Sequence, residues 1–181
     1  MAVYYYIAAS LPMLLGPDQP PPIESGVLLD SCRLFMNDED YAGIENATTN
    51  PEDPEAPGIC RIFRAWEKSL RNDLVRLRAA EQSLEPAGYL REAETVFGTA
   101  SVASAAMNAS TPLEAELLLN KARWSVLDEL ESGHYYDIEF LRSYRMKLQI
   151  LERRAKFDEE RGFEAYQDIY ARVLEASGGT N

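Results

Sequence analysis

Histidine is almost missing from this chain of 181 residues: His134 is the only one, so a metal centre built on converging imidazoles has no ligands to draw on. Cysteine is nearly as scarce. Cys32 and Cys60 stand far apart with no CxxC spacing, and the favoured reading is two buried free thiols in a reducing compartment, with a disulfide between them as the alternative. Basic charge is also short: 18 Lys and Arg face 30 Asp and Glu, a net charge of −12. That balance argues against nucleic acid, whose phosphates need clustered cations. Long apolar runs are absent too. The longest, Val3–Leu15, is interrupted by Pro12 and is shorter than the about 20 residues that span a bilayer, so no direct membrane insertion is expected. With Arg33 as the first base there is no positively charged leader, and the expectation is a cytoplasmic protein. Walker A loops, dinucleotide fingerprints, serine elbows and HExxH motifs do not occur, so no catalytic, cofactor-binding or metal-binding residue is assigned.

What the chain does have is unevenly spread. Residues 1–57 hold ten acids and one base, a net −9, whereas residues 58–181 hold twenty acids and seventeen bases, a net −3. The acidic front is broken by Gly16-Pro17-Asp18-Gln19-Pro20-Pro21-Pro22, where each proline removes a donor and fixes φ. A short helix is expected over Glu24–Phe35 with Val27, Leu28, Leu34 and Phe35 inward. Another is expected around Tyr41–Asn46, capped from within Asn37–Asp40, and Ala47–Ile59 reads as a surface loop.

From residue 58 onward the pattern is helical. Ile59, Phe63, Trp66, Leu70, Leu74 and Leu77 form one apolar face of a helix over 59–84, which Pro86 should end. Residues 87–110 suggest short or irregular helices. Thr111-Pro112-Leu113-Glu114 is a strong helix start, and that helix should run to Ser132 with Leu117, Trp124, Leu127 and Leu130 buried. Asp137 should cap a helix over 137–157 with the stripe Leu141, Tyr144, Leu148, Leu151 and Ala155. A last amphipathic segment carries Phe163, Tyr166, Ile169, Tyr170 and Val173. The expected fold is mostly α: a single domain over 1–181, an antiparallel helical bundle at 58–181 with the proline-broken segment 1–57 packed on it.

Four features are candidates for function. Arg61, Arg64, Lys68 and Arg71 share the side of their helix opposite the apolar face. They read as a solvated face or as a dock for an acidic surface, either the chain's own front or a partner's. Arg142, Arg145, Arg153 and Lys156 form a similar set. The opening Tyr4, Tyr5 and Tyr6 either dock a segment on the helical core or form a binding patch. As a helix, which Pro12 confines to about Val3–Ser10, this segment would put Tyr4, Ile7 and Leu11 on one face with Tyr5 and Tyr6 to either side; a strand is the alternative. His134 beside Asp137 is compatible with an acid–base pair, but its place in a helix–helix turn favours a solvated, locally bonded ring.

The segments Tyr4-Tyr5-Tyr6-Ile7-Ala8-Ala9-Ser10-Leu11-Pro12, Pro20-Pro21-Pro22-Ile23 and Tyr135 through Arg153 (YYDIEFLRSYRMKLQILER) resemble an uncharacterised bacterial family. Genes of that family are generally found in operons for V/A-type rotary ATPases. The late segment is also similar in style to the helical C (eukaryotic d) subunit, which links the rotating stalk to the membrane ring and begins with a tyrosine-bearing helix. The resemblance implies a non-enzymatic accessory, connector or assembly subunit whose partners are V/A-type ATPase subunits. Such a protein would be cytoplasmic, or peripheral to the membrane through the complex. A self-associating helical scaffold, and an enzyme using His134 and Asp137, are the alternative readings.

Overall fold

The computed structural model describes residues 2–52, 57–157 and 169, and every regular element among them is helical. The mostly α class is as expected: an antiparallel helical bundle behind an irregular, proline-broken front. In chain order the helices are α1 (Ala2–Ser10), α2 (Ser25–Phe35), α3 (Asp38–Glu45), α4 (Ile59–Glu81), α5 (Thr99–Met107), α6 (Pro112–Glu131) and α7 (Ile138–Ala155). A 3-10 turn covers Ala87–Tyr89. The expected segment of Phe163, Tyr166, Tyr170 and Val173 lies outside the described residues, which hold only Ile169 of it.

The helix starts follow from side-chain chemistry. Thr111 Oγ1 accepts the Glu114 N–H at 3.1 Å, and the Glu114 carboxylate reaches back to the Ser110 N–H at 2.8 Å, one residue before the cap. Asn37 accepts the Asp40 N–H at 2.9 Å, and Asp137 accepts the Phe140 N–H at 3.0 Å. The end of α4 departs from expectation. It stops at Glu81 rather than Leu84, because Ser83 turns left-handed at φ 54° and the Leu84 N–H bonds back to the Ala79 carbonyl at 2.9 Å. With the Ser83 N–H on Ala80 at 3.3 Å this is a Schellman motif, so the helix closes before Pro86 acts on it.

Two apolar cores share α7. Met146 and Ile150 join Phe63, Trp66, Leu70 and Leu127 in the larger one, formed with α4, α5 and α6. Leu141, Tyr144 and Leu148 join Ile7, Leu28, Cys32 and Ile44 in the other, formed with α1, α2 and α3. The acids of α7 also serve its neighbours. Glu139 accepts the Ile59 N–H at the start of α4 (3.0 Å), and Glu152 accepts the hydroxyl (2.7 Å) and backbone N–H of Ser25 at the start of α2. Each carboxylate therefore satisfies an otherwise unpaired donor where the helix dipole is positive.

This sandwiched position corrects the reading of the later arginines. Arg142 is buried, and Arg145 and Arg153 are half-buried; only Lys156 lies on an exposed face. The Arg142 guanidinium donates to Glu139 at 2.6 Å and sits so close to Gly43 of α3 that a side chain there would collide with it. Arg153 is bound by Glu116 and Asn120 of α6. A helix covered on two sides has no fully solvated flank to which they could turn.

The inward face of α2 is also narrower than expected. Leu28 and Cys32, one turn apart, are buried, but Val27, Leu34 and Phe35 are exposed. Val27 and Leu34 lie about 100° and 120° around the helix from Leu28, and Phe35 is its last residue. In α6 and α7, Leu119 is buried where Leu117 and Leu130 are only half-buried, and Ala155 is exposed.

Candidate interaction surface

The opening tyrosines divide by face. The segment is a helix rather than a strand, with Ile7 buried and Tyr4 and Leu11 half-buried against the smaller core. Tyr4 is an anchor: its hydroxyl donates to the Asp40 carboxylate at 2.6 Å. That hydrogen bond first, and burial second, push its pKa up to about 12. Tyr5 and Tyr6 point to either side, 56% and 60% exposed.

Neither exposed ring is alone. Tyr5 packs on Tyr136, with centroids 4.7 Å apart, and Tyr6 meets Phe35 edge-on at 5.1 Å. Tyr136 and Phe35 are themselves 54% and 48% exposed. Two exposed ring pairs thus flank α1, Tyr5–Tyr136 toward the α6–α7 turn and Tyr6–Phe35 toward α2, and together make an aromatic ridge across it. The sequence pointed to Tyr5 and Tyr6 but missed Tyr136 and Phe35; the Tyr135-Tyr136 doublet beside the Gly133-His134 turn was the available signal.

Beside the ridge lies a cleft of about 440 Å³ bounded by Leu11, Met13, Tyr135, Tyr136, Tyr144 and Lys147. The Tyr144 hydroxyl donates to the Pro12 carbonyl at 2.9 Å, tying α7 to the chain leaving α1, and burial pushes its pKa up to about 12. Lys147 Nζ lies 2.7 Å from both Asp128 and Glu131 and 5.5 Å from the centre of the Trp124 ring. The cleft wall therefore carries two carboxylates and one cation.

The basic set on α4 is less open than a solvated face. Arg61 is exposed, but Arg64, Lys68 and Arg71 are half-buried, and Arg71 donates to Glu67 at 2.9 Å. Among the described residues of the acidic front, Glu52 reaches this side, bound by Arg91 at 2.6 Å. The Arg91 hydrogen bond, with smaller help from Lys68 and Arg71, holds the Glu52 carboxyl below the usual range. The stripe and the tyrosines do not form one surface: α1 packs on α2 and α7, whereas α4 packs on α5, α6 and α7.

His134 Nδ1 lies 2.6 Å from Asp137 Oδ2, both side chains partly exposed. Burial works to raise the Asp137 pKa, but His134 and the Phe140 N–H outweigh it, and the carboxyl titrates low. Asp137 is thereby committed to capping α7 as well as to orienting the ring. Among the described residues no group of three His, Cys, Asp or Glu is arranged to hold a metal, and no helix is long and apolar enough to cross a membrane.

No curated protein and no solved structure matches the chain. Residues 94–177, which include α5, α6 and α7 but not the tyrosine helix or the basic stripe, match the model of a family described as a protein of unknown function (DUF2764).

Proposed function

We propose that this chain is a non-enzymatic accessory subunit of a V/A-type rotary ATPase, a connector or assembly factor that docks through its aromatic ridge. The observation that carries the docking role is the pairing of Tyr5 with Tyr136 and Tyr6 with Phe35 on the surface. Tyrosine and phenylalanine concentrate at protein interfaces because they offer large apolar area at low entropic cost, and clustered exposed rings mark such sites. The rings are held by their neighbours and by the Tyr4–Asp40 anchor, so little ordering remains for binding. The identity of the complex rests on the resemblance of the opening tyrosine segment and the late helix to the operon-encoded family.

Affinity purification of the tagged protein from its native host tests this. ATPase subunits should co-purify, at levels that survive washing at moderate salt. Recovery of the tagged chain with no ATPase subunit would overturn the assignment.

A further inference from the structure

We propose that the ridge takes a basic amphipathic helix of a partner protein, with one of its cationic side chains seated in the cleft against Tyr135 and Tyr136. This rests on the docking role argued above and specifies the partner's chemistry.

Charge decides the sign. Arg154 and Arg91 pair with Asp18 and Glu52, but the other acids of residues 2–52, Glu24, Asp30, Asp38, Glu39, Asp40 and Glu45, share that stretch with Arg33 alone, whose guanidinium is stacked 4.8 Å over Tyr41. Asp30, Asp38 and Glu39 are exposed on α2, which packs on the ridge helix, and on α3, which Asp40 ties to it through Tyr4. At the other end, Asp128 and Glu131 share Lys147, so the described residues lining the cleft carry one negative charge in excess. A cation entering there meets ring faces as well as carboxylate, and Tyr135 is 69% exposed to receive it.

Shape decides the element. The described residues include no strand, so there is no sheet edge on which an extended peptide could pair its backbone. A line of rings beside a cleft suits the apolar face of a helix, with a basic residue one turn along reaching the cleft.

A second copy of this chain is disfavoured. Each copy carries a net −12, and the basic stripe it would have to offer is partly engaged, Arg71 with Glu67 and Lys68 and Arg71 near Glu52. An anionic membrane surface is disfavoured by the same acidic front.

The test uses the full chain and a pair of synthetic helical peptides of about 18 residues, five turns long. Both share a Leu/Trp face; one carries Lys and Arg on its polar face and the other Glu. Fluorescence anisotropy should show the basic peptide binding at least about tenfold more tightly, with the advantage shrinking as salt rises. The Tyr5→Ala/Tyr136→Ala variant should lose about tenfold or more, and Asp128→Asn about threefold, while Arg61→Glu should leave binding unchanged. Circular dichroism checks that the double variant folds. Should it not, Tyr6→Lys, at an exposed ring, must weaken the basic peptide by repulsion.

Equal affinity for the two peptides, or binding that ignores every ridge substitution, would overturn the proposal. So would light scattering that reveals a dimer dissociated by the ridge variants, because the occupant would then be a second copy. The docking inference and the ATPase assignment fail separately. ATPase subunits recovered equally by wild type and by ridge variants sink the former alone. A basic peptide bound as expected, with no ATPase subunit recovered, sinks the latter alone.

Discussion

Arg123 of α6 and Glu67 of α4 meet as a two-pronged buried pair, Nε to Oε2 at 2.9 Å and Nη2 to Oε1 at 3.0 Å. Nη1 of the same guanidinium reaches Glu116 at 3.3 Å and Asn120 at 3.2 Å. Burial alone would lower the Arg123 pKa, but the Glu67 charge and hydrogen bonds outweigh it and the net shift is upward. The pair pins α4 to α6 beside the larger core. Removing one partner strands the other charge away from water, whereas replacing both by apolar groups removes the desolvation cost too. Glu67→Gln or Arg123→Met alone should therefore cost about 3 kcal/mol, and Glu67→Leu with Arg123→Met should recover most of it. Urea unfolding of the three variants checks this; a double variant no more stable than either single one would contradict it.

Gly58 precedes α4 at φ 68°, ψ −135°, a conformation that side-chain-bearing residues rarely adopt. The space is also taken: a Cβ there would fall inside the Glu139 carboxylate, which is the group accepting the Ile59 N–H and bonding Arg142. Gly58→Ala should thus strain the backbone and dislodge the cap of α4, for a loss of about 2–3 kcal/mol in thermal or urea unfolding. Gly88 offers the control. Its Cβ would meet nothing within 4 Å, so Gly88→Ala should change little.

The starts of α6 and α7 were legible because Thr111 and Asp137 accept N–H groups three residues on, and Pro112 presets its own φ for a helix start. The face of α4 was legible because its apolar residues, Ile59 to Leu77, keep one period over five turns. What escaped depends on neighbours distant in the chain. Periodicity reports where a helix is apolar, not how many of its sides are covered, so Arg142 and Arg153 looked solvated until α3 and α6 enclosed α7. The stop of α4 at Glu81 was hidden because Ser83, which turns left-handed just beyond it, is not the residue that usually marks such a turn. The ridge was half legible: the tyrosine triplet announces itself, but only the tertiary fold brings Tyr136 to Tyr5 and Phe35 to Tyr6.

Cys32 and Cys60 are both free and buried, in different cores. Burial pushes the Cys32 thiol from 9.0 up to about 11 and the Cys60 thiol from 9.0 up to about 12, so neither supplies much thiolate near neutrality. A thiol reagent such as DTNB at pH 8 should leave the native protein essentially unlabelled and react with two equivalents per chain in concentrated guanidinium. Rapid labelling of one thiol in the native state would place that residue outside its core.

Alkaline pH should loosen the fold over a defined window. Tyr4, through its bond to Asp40 first and burial second, and Tyr144, through burial, are raised from 10.0 to about 12, alongside the two thiols. Each of these groups is neutral when protonated and holds its proton to higher pH in the folded chain than in the unfolded one. Their stabilisation is therefore complete below pH 9, where both states are protonated. It is lost as pH rises, the thiols contributing from about pH 9 and the phenols from about pH 10, until the folded values near 12 are passed. The urea midpoint should fall steadily between those limits. Tyr4→Phe separates the phenol from the thiols: it should lower stability by about 1 kcal/mol at pH 8 by removing a hydrogen bond, yet give a shallower decline above pH 10 than the parent. A decline above pH 10 as steep as the parent's would mean that the Tyr4 proton is not retained through the Asp40 contact.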